Sequence, residues 1–78
     1  MKSEGWKVLI RREDHSWVYV EYRSIRFLFA TTYDQNRAYV YTSRKEALED
    51  MQDMQECLQA YSLLDMSTQQ WCHYNVNV

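Results

Sequence analysis

Alternation of apolar and polar positions dominates the first half of the chain and predicts four short β-strands. The alternating runs cover residues 6–11, 17–23, 25–31 and 38–42. They are rich in β-branched and aromatic side chains, and the polar segments 12–16 and 33–37 have the composition of turns. Because the links between successive runs are short, we expect the strands to form an antiparallel meander.

A change to helical spacing marks residues 43–63. Ser43 is suited to cap a helix, and Glu46 three positions later completes a capping-box pattern. Apolar residues then recur with a helical period, which predicts one long amphipathic helix with an apolar stripe for the sheet. The stripe consists of Ala47, Leu48, Met51, Met54, Leu58 and Tyr61.

A last alternating run, residues 70–78, predicts a terminal strand. One set of alternate residues is Cys72, Tyr74, Val76 and Val78, and the other is Trp71, His73, Asn75 and Asn77. The order is then ββββα followed by this strand. We therefore predict a single α+β domain over residues 1–78, with an antiparallel sheet of four to five strands and one amphipathic helix packed on one of its faces.

Charge is divided unevenly along the chain. Its 78 residues are 46% hydrophobic and 15% aromatic, which is typical of a folded domain, and the net charge is −2. Residues 1–45 contain nine basic and five acidic side chains, whereas residues 46–78 contain six acidic and no basic ones. Met1 precedes no apolar segment, and no run approaches a membrane span, so we expect a cytoplasmic protein without a membrane association.

Candidate chemistry is sparse. Cys72 and His73 are neighbours on a predicted strand and point to opposite faces, which makes them poor ligands for one metal ion. Cys57 and Cys72 are interpreted as free thiols, with a disulfide between them as the alternative. The single glycine excludes a glycine-rich phosphate loop. The sequence therefore predicts no enzyme activity, no catalytic residue, no metal and no cofactor.

The outer face of the predicted helix is strongly acidic. Glu49, Asp53 and Glu56 follow one another at helical spacing, with Glu46 and Asp50 beside them. Like charges four residues apart repel each other by a few tenths of a kcal/mol. A solvated face is the simplest interpretation, and the alternative is mimicry of nucleic acid in the basic groove of a partner, where charge increases association rate and selectivity.

A second surface follows from the strand alternation. If the valine and isoleucine positions of the strands face the helix, four aromatic side chains point outward from the other face. They are Trp17, Tyr19, Tyr39 and Tyr41. This aromatic surface could be covered by a homodimer, act as a protein-binding hot spot, or stack the bases of single-stranded nucleic acid. We expect it to lie opposite the acidic helix face.

In its small size, its layout of strands and one helix, and its acidic, aromatic-rich composition, the chain resembles small phage-encoded anti-defence accessory proteins, which include anti-CRISPR proteins. The resemblance implies a non-enzymatic inhibitor in the host cell cytoplasm. Such a protein would occlude a surface of a larger host or defence protein complex by steric and electrostatic contact. The aromatic and acidic surfaces supply the candidate contacts, and a single-stranded nucleic-acid-binding protein is the alternative.

Overall fold

The computed structural model describes residues 4–25, 28–54 and 58–76. Within these residues the chain forms five β-strands, one short 3-10 helix and one α-helix. In chain order these are β1 (Trp6–Arg11), β2 (Trp17–Ile25), β3 (Leu28–Thr32), the 3-10 helix Gln35–Arg37, α1 (Arg44–Asp53), β4 (Ala60–Asp65) and β5 (Gln70–Asn75). The strands form one antiparallel sheet, so the predicted α+β class with one helix is confirmed.

The strand order is β3-β2-β1-β4-β5, which places the first strand of the chain at the centre of the sheet. β1 pairs with β2 on one side and with β4 on the other, where Val8 lies opposite Leu63. β4 in turn pairs with β5 in an unbroken register from Ala60–Asn75 to Asp65–Gln70. Two hairpins, one from each end of the chain, are thus joined through β1 and β4.

Helix α1 begins as the capping pattern predicts. The Ser43 hydroxyl accepts a hydrogen bond from the Glu46 N–H at 3.1 Å, which satisfies one of the open donors of the first turn. The Glu46 carboxylate accepts the Thr42 hydroxyl at 2.6 Å. The helix packs on one face of the sheet to form the core, whose buried members are Val8, Ile10, Val18, Val20, Tyr41, Ala47, Met51, Met54, Leu58, Tyr61 and Leu63.

The predicted extent of the helix, residues 43–63, is wrong beyond Asp53. Met54 caps the helix, and the apolar positions that continue the stripe belong to other elements. Leu58 is buried in the connection, and Tyr61 lies in β4. Because β4 is a central strand that is buried along most of its length, its continuous apolar run has no strand-like alternation and could be taken for part of a helix.

The predicted fourth strand, residues 38–42, is reduced to a single bridge. Trp6 and Tyr41 exchange backbone hydrogen bonds of 2.9 and 2.8 Å, and the Tyr39 N–H donates to the Val20 carbonyl at 2.8 Å. The paired residues of β1 and β2 are limited to the half of β1 that includes Leu9. The segment therefore enters the sheet where β1 and β2 separate. At this position it cannot form a ladder longer than the single bridge.

Gly5 allows the segment that contains Val40 and Tyr41 to approach the start of β1 closely. Its φ of +124° is a conformation that side chains other than glycine rarely adopt. A Cβ atom at this position would lie 2.4 Å from Cγ1 of Val40 and 2.8 Å from the carbonyl oxygen of Tyr41. The only glycine of the chain is therefore required by both the backbone and its neighbours.

Candidate functional site

The sheet face opposite α1 is the first candidate site, because no α-helix of the described residues packs on it. We call it the open face. Strand alternation and register assign to it the side chains of alternate residues from four strands. These are Lys7, Leu9 and Arg11 of β1, Trp17 and Tyr19 of β2, Ala60, Ser62 and Leu64 of β4, and Trp71, His73 and Asn75 of β5.

Large aromatic side chains border the open face, and small or aliphatic ones lie at its centre. Leu64 lies between Lys7 and Trp71 in the register and is 2% exposed. Trp17 and Trp71 remain 40% and 38% exposed. Strand spacing places these two tryptophans at opposite corners, about 20 Å apart. The face therefore offers two exposed indole rings around a nearly filled apolar centre.

Basic side chains lie along the same face. Lys7 Nζ donates to the carbonyl oxygen of Gln35 at 2.9 Å, and Arg11 Nη2 lies 2.9 Å from His15 Nδ1. Arg11 also stands directly opposite Trp17 in the register. These bonds fix the direction of two cationic side chains without cancelling their charge. The open face is therefore both aromatic and positively charged.

An ion pair limits the positive charge at the β2 end. Arg37 Nε lies 2.9 Å from the Glu21 carboxylate, and the Arg37 side chain is 69% exposed. A pair this exposed contributes at most about 1 kcal/mol to stability. Its main effect is to place the 3-10 helix against β2 and to neutralise Glu21, so that Lys7 and Arg11 set the sign of the potential on the face.

Ser62 and His73 form a hydrogen bond between β4 and β5 on the open face. The Ser62 Oγ and His73 Nδ1 atoms are 2.5 Å apart. A serine and a histidine in contact could suggest nucleophilic catalysis, but Ser62 is 0% exposed and its hydroxyl cannot reach a substrate. We interpret the bond as structural, because it orients the exposed imidazole on the face.

Two of the four predicted aromatic contacts lie where they were expected. Trp17 and Tyr19 are on the open face, at adjacent alternate positions of β2. Tyr39 and Tyr41 are not on it, because their segment enters the sheet between two strands and turns toward α1. Tyr41 is 3% exposed and belongs to the core, so the expectation that it points outward is wrong.

Tyr39 and Tyr41 instead border an acidic groove beside α1. Their rings meet edge to face with centroids 4.7 Å apart and an interplanar angle of 73°. The groove has a volume of about 250 Å³, and the remaining lining residues are Glu46, Glu49 and Asp50. The predicted separation of aromatic and acidic surfaces therefore holds for Trp17 and Tyr19 but not for Tyr39 and Tyr41.

The predicted acidic row is present in part. Glu49 and Asp53 are exposed on α1, as the helical spacing indicates. Glu56, the third member of the row, lies outside the described residues. The helix contains basic side chains only at its first two positions, Arg44 and Lys45. The outer face of α1 is thus negative over most of its length, on the opposite side of the protein from the open face.

Trp71 is a residue of the open face that the sequence alone does not place there. Its alternation with His73 and Asn75 follows from the sequence, but the side of the sheet on which it lies does not. That side depends on the pairing of β5 with β4, and the sequence pattern places most of β4, residues 60–63, in the predicted helix. Once the register aligns Trp71 with Leu64 and Lys7, it joins the face that holds Trp17.

The possible metal ligands and the cysteines do not form a site among the described residues. Among the described residues, no group of three His, Cys, Asp or Glu side chains could hold a metal ion. Cys72 is a free, exposed thiol, and Cys57 lies outside the described residues. No helix in the described part of the chain has the length and apolar character needed to cross a membrane.

Comparison of the chain with protein-family models, with curated proteins and with solved structures gives no significant match. The function of the two surfaces is therefore interpreted from their own chemistry. The open face has the larger exposed aromatic area, with its cations fixed in direction. The acidic groove has a higher charge density but only one exposed ring, that of Tyr39.

Proposed function

We propose that this protein is a non-enzymatic binding module that inhibits a larger protein or nucleoprotein complex by covering one of its surfaces. The observation that carries the proposal is the open face, which keeps Trp17 and Trp71 exposed while one helix covers the other side of the sheet. In line with the resemblance to anti-defence proteins, the partner would be a host or defence complex in the cytoplasm.

Exposed aromatic side chains on a rigid sheet suit this role. Trp, Tyr and Arg contribute most of the binding energy in protein interfaces, because they bury a large area at a small entropic cost. Trp17, Tyr19 and Arg11 lie within two neighbouring strands and are held by the backbone ladder. A partner surface would gain these contacts without first ordering a loop.

The acidic face of α1 would contribute in a different way. Glu49 and Asp53 are exposed, and charges at such positions mainly raise the association rate and select against wrong partners. The groove at Tyr39 could take a basic side chain, since three carboxylates and two aromatic rings line it. On this interpretation the open face supplies affinity and the helix supplies steering.

Capture of the partner tests the proposal. Tagged protein is incubated with host lysate, and the bound proteins are identified by mass spectrometry. We expect one complex to bind in a fixed ratio to the wild type and to be lost with the double substitution Trp17→Ala and Trp71→Ala. Because Trp17 and Trp71 are only 40% and 38% exposed, circular dichroism is used to check that the variant is folded before capture is compared.

Tyr33→Ala is the matched control. Tyr33 is 78% exposed, follows the end of β3, and is not one of the strand residues that define the open face. It removes an exposed aromatic ring without touching the proposed contact, so capture should be unchanged. Equal capture by the wild type and the double tryptophan variant would refute the assignment of the open face.

A second double variant, Glu49→Lys and Asp53→Lys, tests the acidic face of α1. It should slow association with the partner more than it speeds dissociation.

Single-stranded nucleic acid is a second candidate, favoured by the position of Arg11 opposite Trp17. Stacked bases on Trp17 and Tyr19 would bring phosphates near Arg11 and Lys7. Fluorescence anisotropy with a short labelled oligonucleotide should then give an affinity that falls steeply with salt. An Arg11→Gln variant should show a smaller salt slope. Absence of binding at low salt would eliminate this candidate.

A further inference from the structure

Strand β5 forms one edge of the sheet, and its outer backbone groups can be identified. The Val76 N–H donates to the Gln59 carbonyl at 3.1 Å, so residue 76 bonds toward β4. In an antiparallel ladder the bonding direction alternates, and residues 74, 72 and 70 therefore also bond toward β4. The N–H and C=O groups of Trp71, His73 and Asn75 consequently point away from the sheet.

Within its own residues, β5 lacks the charges, proline and bulges that often protect an edge strand from pairing. β5 contains no Lys, Arg, Asp, Glu or Pro, and it pairs with β4 without a break in register. The other edge strand, β3, differs. Its register with β2 shifts twice, between Val20 and Tyr22 and again between Arg23 and Ile25. Such irregularities bend a strand and discourage edge pairing.

Contacts on both faces hold β5 in place. On the helix side, Tyr74 stacks on Tyr61 with centroids 5.0 Å apart, and Arg44 Nη2 donates to the Tyr74 hydroxyl at 2.6 Å. On the open face, His73 is bonded to Ser62. An edge strand fixed in this way loses little conformational entropy when another strand pairs with it.

We propose that β5 pairs antiparallel with β5 of a second copy, which forms a two-fold symmetric dimer with one continuous ten-stranded sheet. The three outward residues are spaced evenly around His73. A register with His73 opposite its own copy therefore sets each Trp71 opposite Asn75 of the other protomer. This register pairs all the outward N–H and C=O groups and forms about six backbone hydrogen bonds. Because β5 contains no Lys, Arg, Asp or Glu, the pairing brings no such like-charged side chains together at the axis.

The dimer would enlarge the open face. The two-fold axis of an antiparallel strand pair is perpendicular to the sheet, so both open faces lie on the same side and both helices on the other. One open face measures about 19 by 20 Å, or roughly 400 Å² in projection. A standard interface buries about 800 Å² on each partner. Two joined faces reach that size. The inference of a dimer depends on the edge of β5 and not on the proposed function.

Sedimentation equilibrium from micromolar to millimolar protein tests the dimer. We expect wild type and Asn75→Ala to approach twice the chain mass of 9.6 kDa, and Asn75→Pro to remain at 9.6 kDa. Proline removes the outward N–H of residue 75, which the pairing with β4 does not use. Alanine removes the same side chain and keeps that N–H, so the two variants differ at the proposed bond.

Disulfide crosslinking tests the register. In a chain with Cys57→Ser and Cys72→Ser, the further change His73→Cys places thiols on residues whose Cα atoms are about 5.5 Å apart across the axis. That spacing permits a disulfide, and mild oxidation should give a covalent dimer. The control is Cys57→Ser alone, which keeps Cys72. In the proposed register the two Cys72 residues are diagonal neighbours about 7 to 8 Å apart, so this variant should give little covalent dimer.

Several outcomes would overturn the dimer. A wild type that is monomeric at every concentration refutes it, and so does a dimer of undiminished strength with Asn75→Pro. If that proline variant fails to fold, the crosslinking result decides, and absence of a covalent dimer with His73→Cys then refutes the pairing. Loss of partner capture with the tryptophan variants leaves these measurements unaffected, so the dimer and the proposed function can fail separately.

Discussion

The wholly buried hydroxyl of Ser62 is hydrogen-bonded, at 2.5 Å, to Nδ1 of the exposed imidazole of His73. The two residues are direct partners in the register of β4 and β5. They occupy a position between backbone hydrogen bonds, where cross-strand side chains approach each other most closely. One bond thus satisfies a buried polar group and fixes a side chain on the open face.

Removal of either partner should reduce stability. We expect Ser62→Ala to lower the free energy of unfolding by about 1 kcal/mol, and His73→Ala by a similar or larger amount because the buried hydroxyl then loses its partner. The double variant should lose less than the sum of the two. Urea denaturation of all four proteins measures this coupling, and strictly additive losses would show that the bond contributes nothing.

Gly5→Ala should be strongly destabilising. The φ of +124° strains any side chain other than glycine, and the new Cβ would meet Val40 Cγ1 at 2.4 Å. We expect a loss of about 2 to 4 kcal/mol, from backbone strain together with overpacking. Thermal and urea denaturation measure it. Glu4→Ala at the exposed neighbouring position is the control, and a similar small loss in both variants would contradict the steric argument.

Gln69→Gly should increase stability. Gln69 has a φ of +60° in the turn between β4 and β5, a conformation in which glycine avoids a steric cost. The gain should be up to about 1 kcal/mol, reduced by the loss of the exposed bond from Gln69 Nε2 to the Met66 carbonyl. Gln70→Gly, one residue later in β5, should instead destabilise the protein. The prediction fails if both changes reduce the urea midpoint equally.

Acid should weaken the protein partly through Asp65. Its carboxylate accepts the Ser67 hydroxyl at 2.7 Å and the Ser67 N–H at 3.0 Å, and these bonds lower its pKa below the ordinary 3.8. A pKa lower in the folded state stabilises the protein above about pH 4, and the contribution disappears as the pH falls through the lowered value. Asp65→Asn should therefore show a smaller drop in urea midpoint between neutral pH and about pH 2.

Ser67→Ala is the control for this pH effect, because it removes the largest cause of the lowered pKa while keeping the carboxylate. It should also reduce the acid sensitivity. Asp14 provides an independent case, since the hydroxyl and N–H of Ser16 lower its pKa in the same way. Identical acid transitions in the wild type, Asp65→Asn and Ser67→Ala would exclude the turn at Asp65 as a contributor.

Local pattern was sufficient to predict some elements and not others. The bounds of β1, the start of α1 at Ser43 and the alternation within β5 follow from periodicity and capping alone. The end of α1 does not. Neither glycine nor proline marks it, and Leu58 and Tyr61 continue the helical spacing by chance. What makes residues 60–65 a strand is pairing with both β1 and β5, which no local window contains.

The same dependence on distant pairing explains the candidate site. Trp17 and Tyr19 could be placed because β2 alternates regularly. Tyr41 could not, because its burial follows from the separation of β1 and β2 and not from its own neighbours in sequence. Trp71 became part of the open face only through the register of β5 with β4.

The interior position of β4, between β1 and β5, also determines when the fold can close during synthesis. β1 acquires β2 as a neighbour early, but its other partner, β4, is synthesised only after the whole segment between Arg11 and Ala60. Contacts between such distant segments raise the contact order and slow folding. Until β4 pairs with it, one edge of β1 has unpaired backbone groups, and Val8 and Ile10 lack their cross-strand partners Leu63 and Tyr61, which exposes this strand to aggregation and to chaperones.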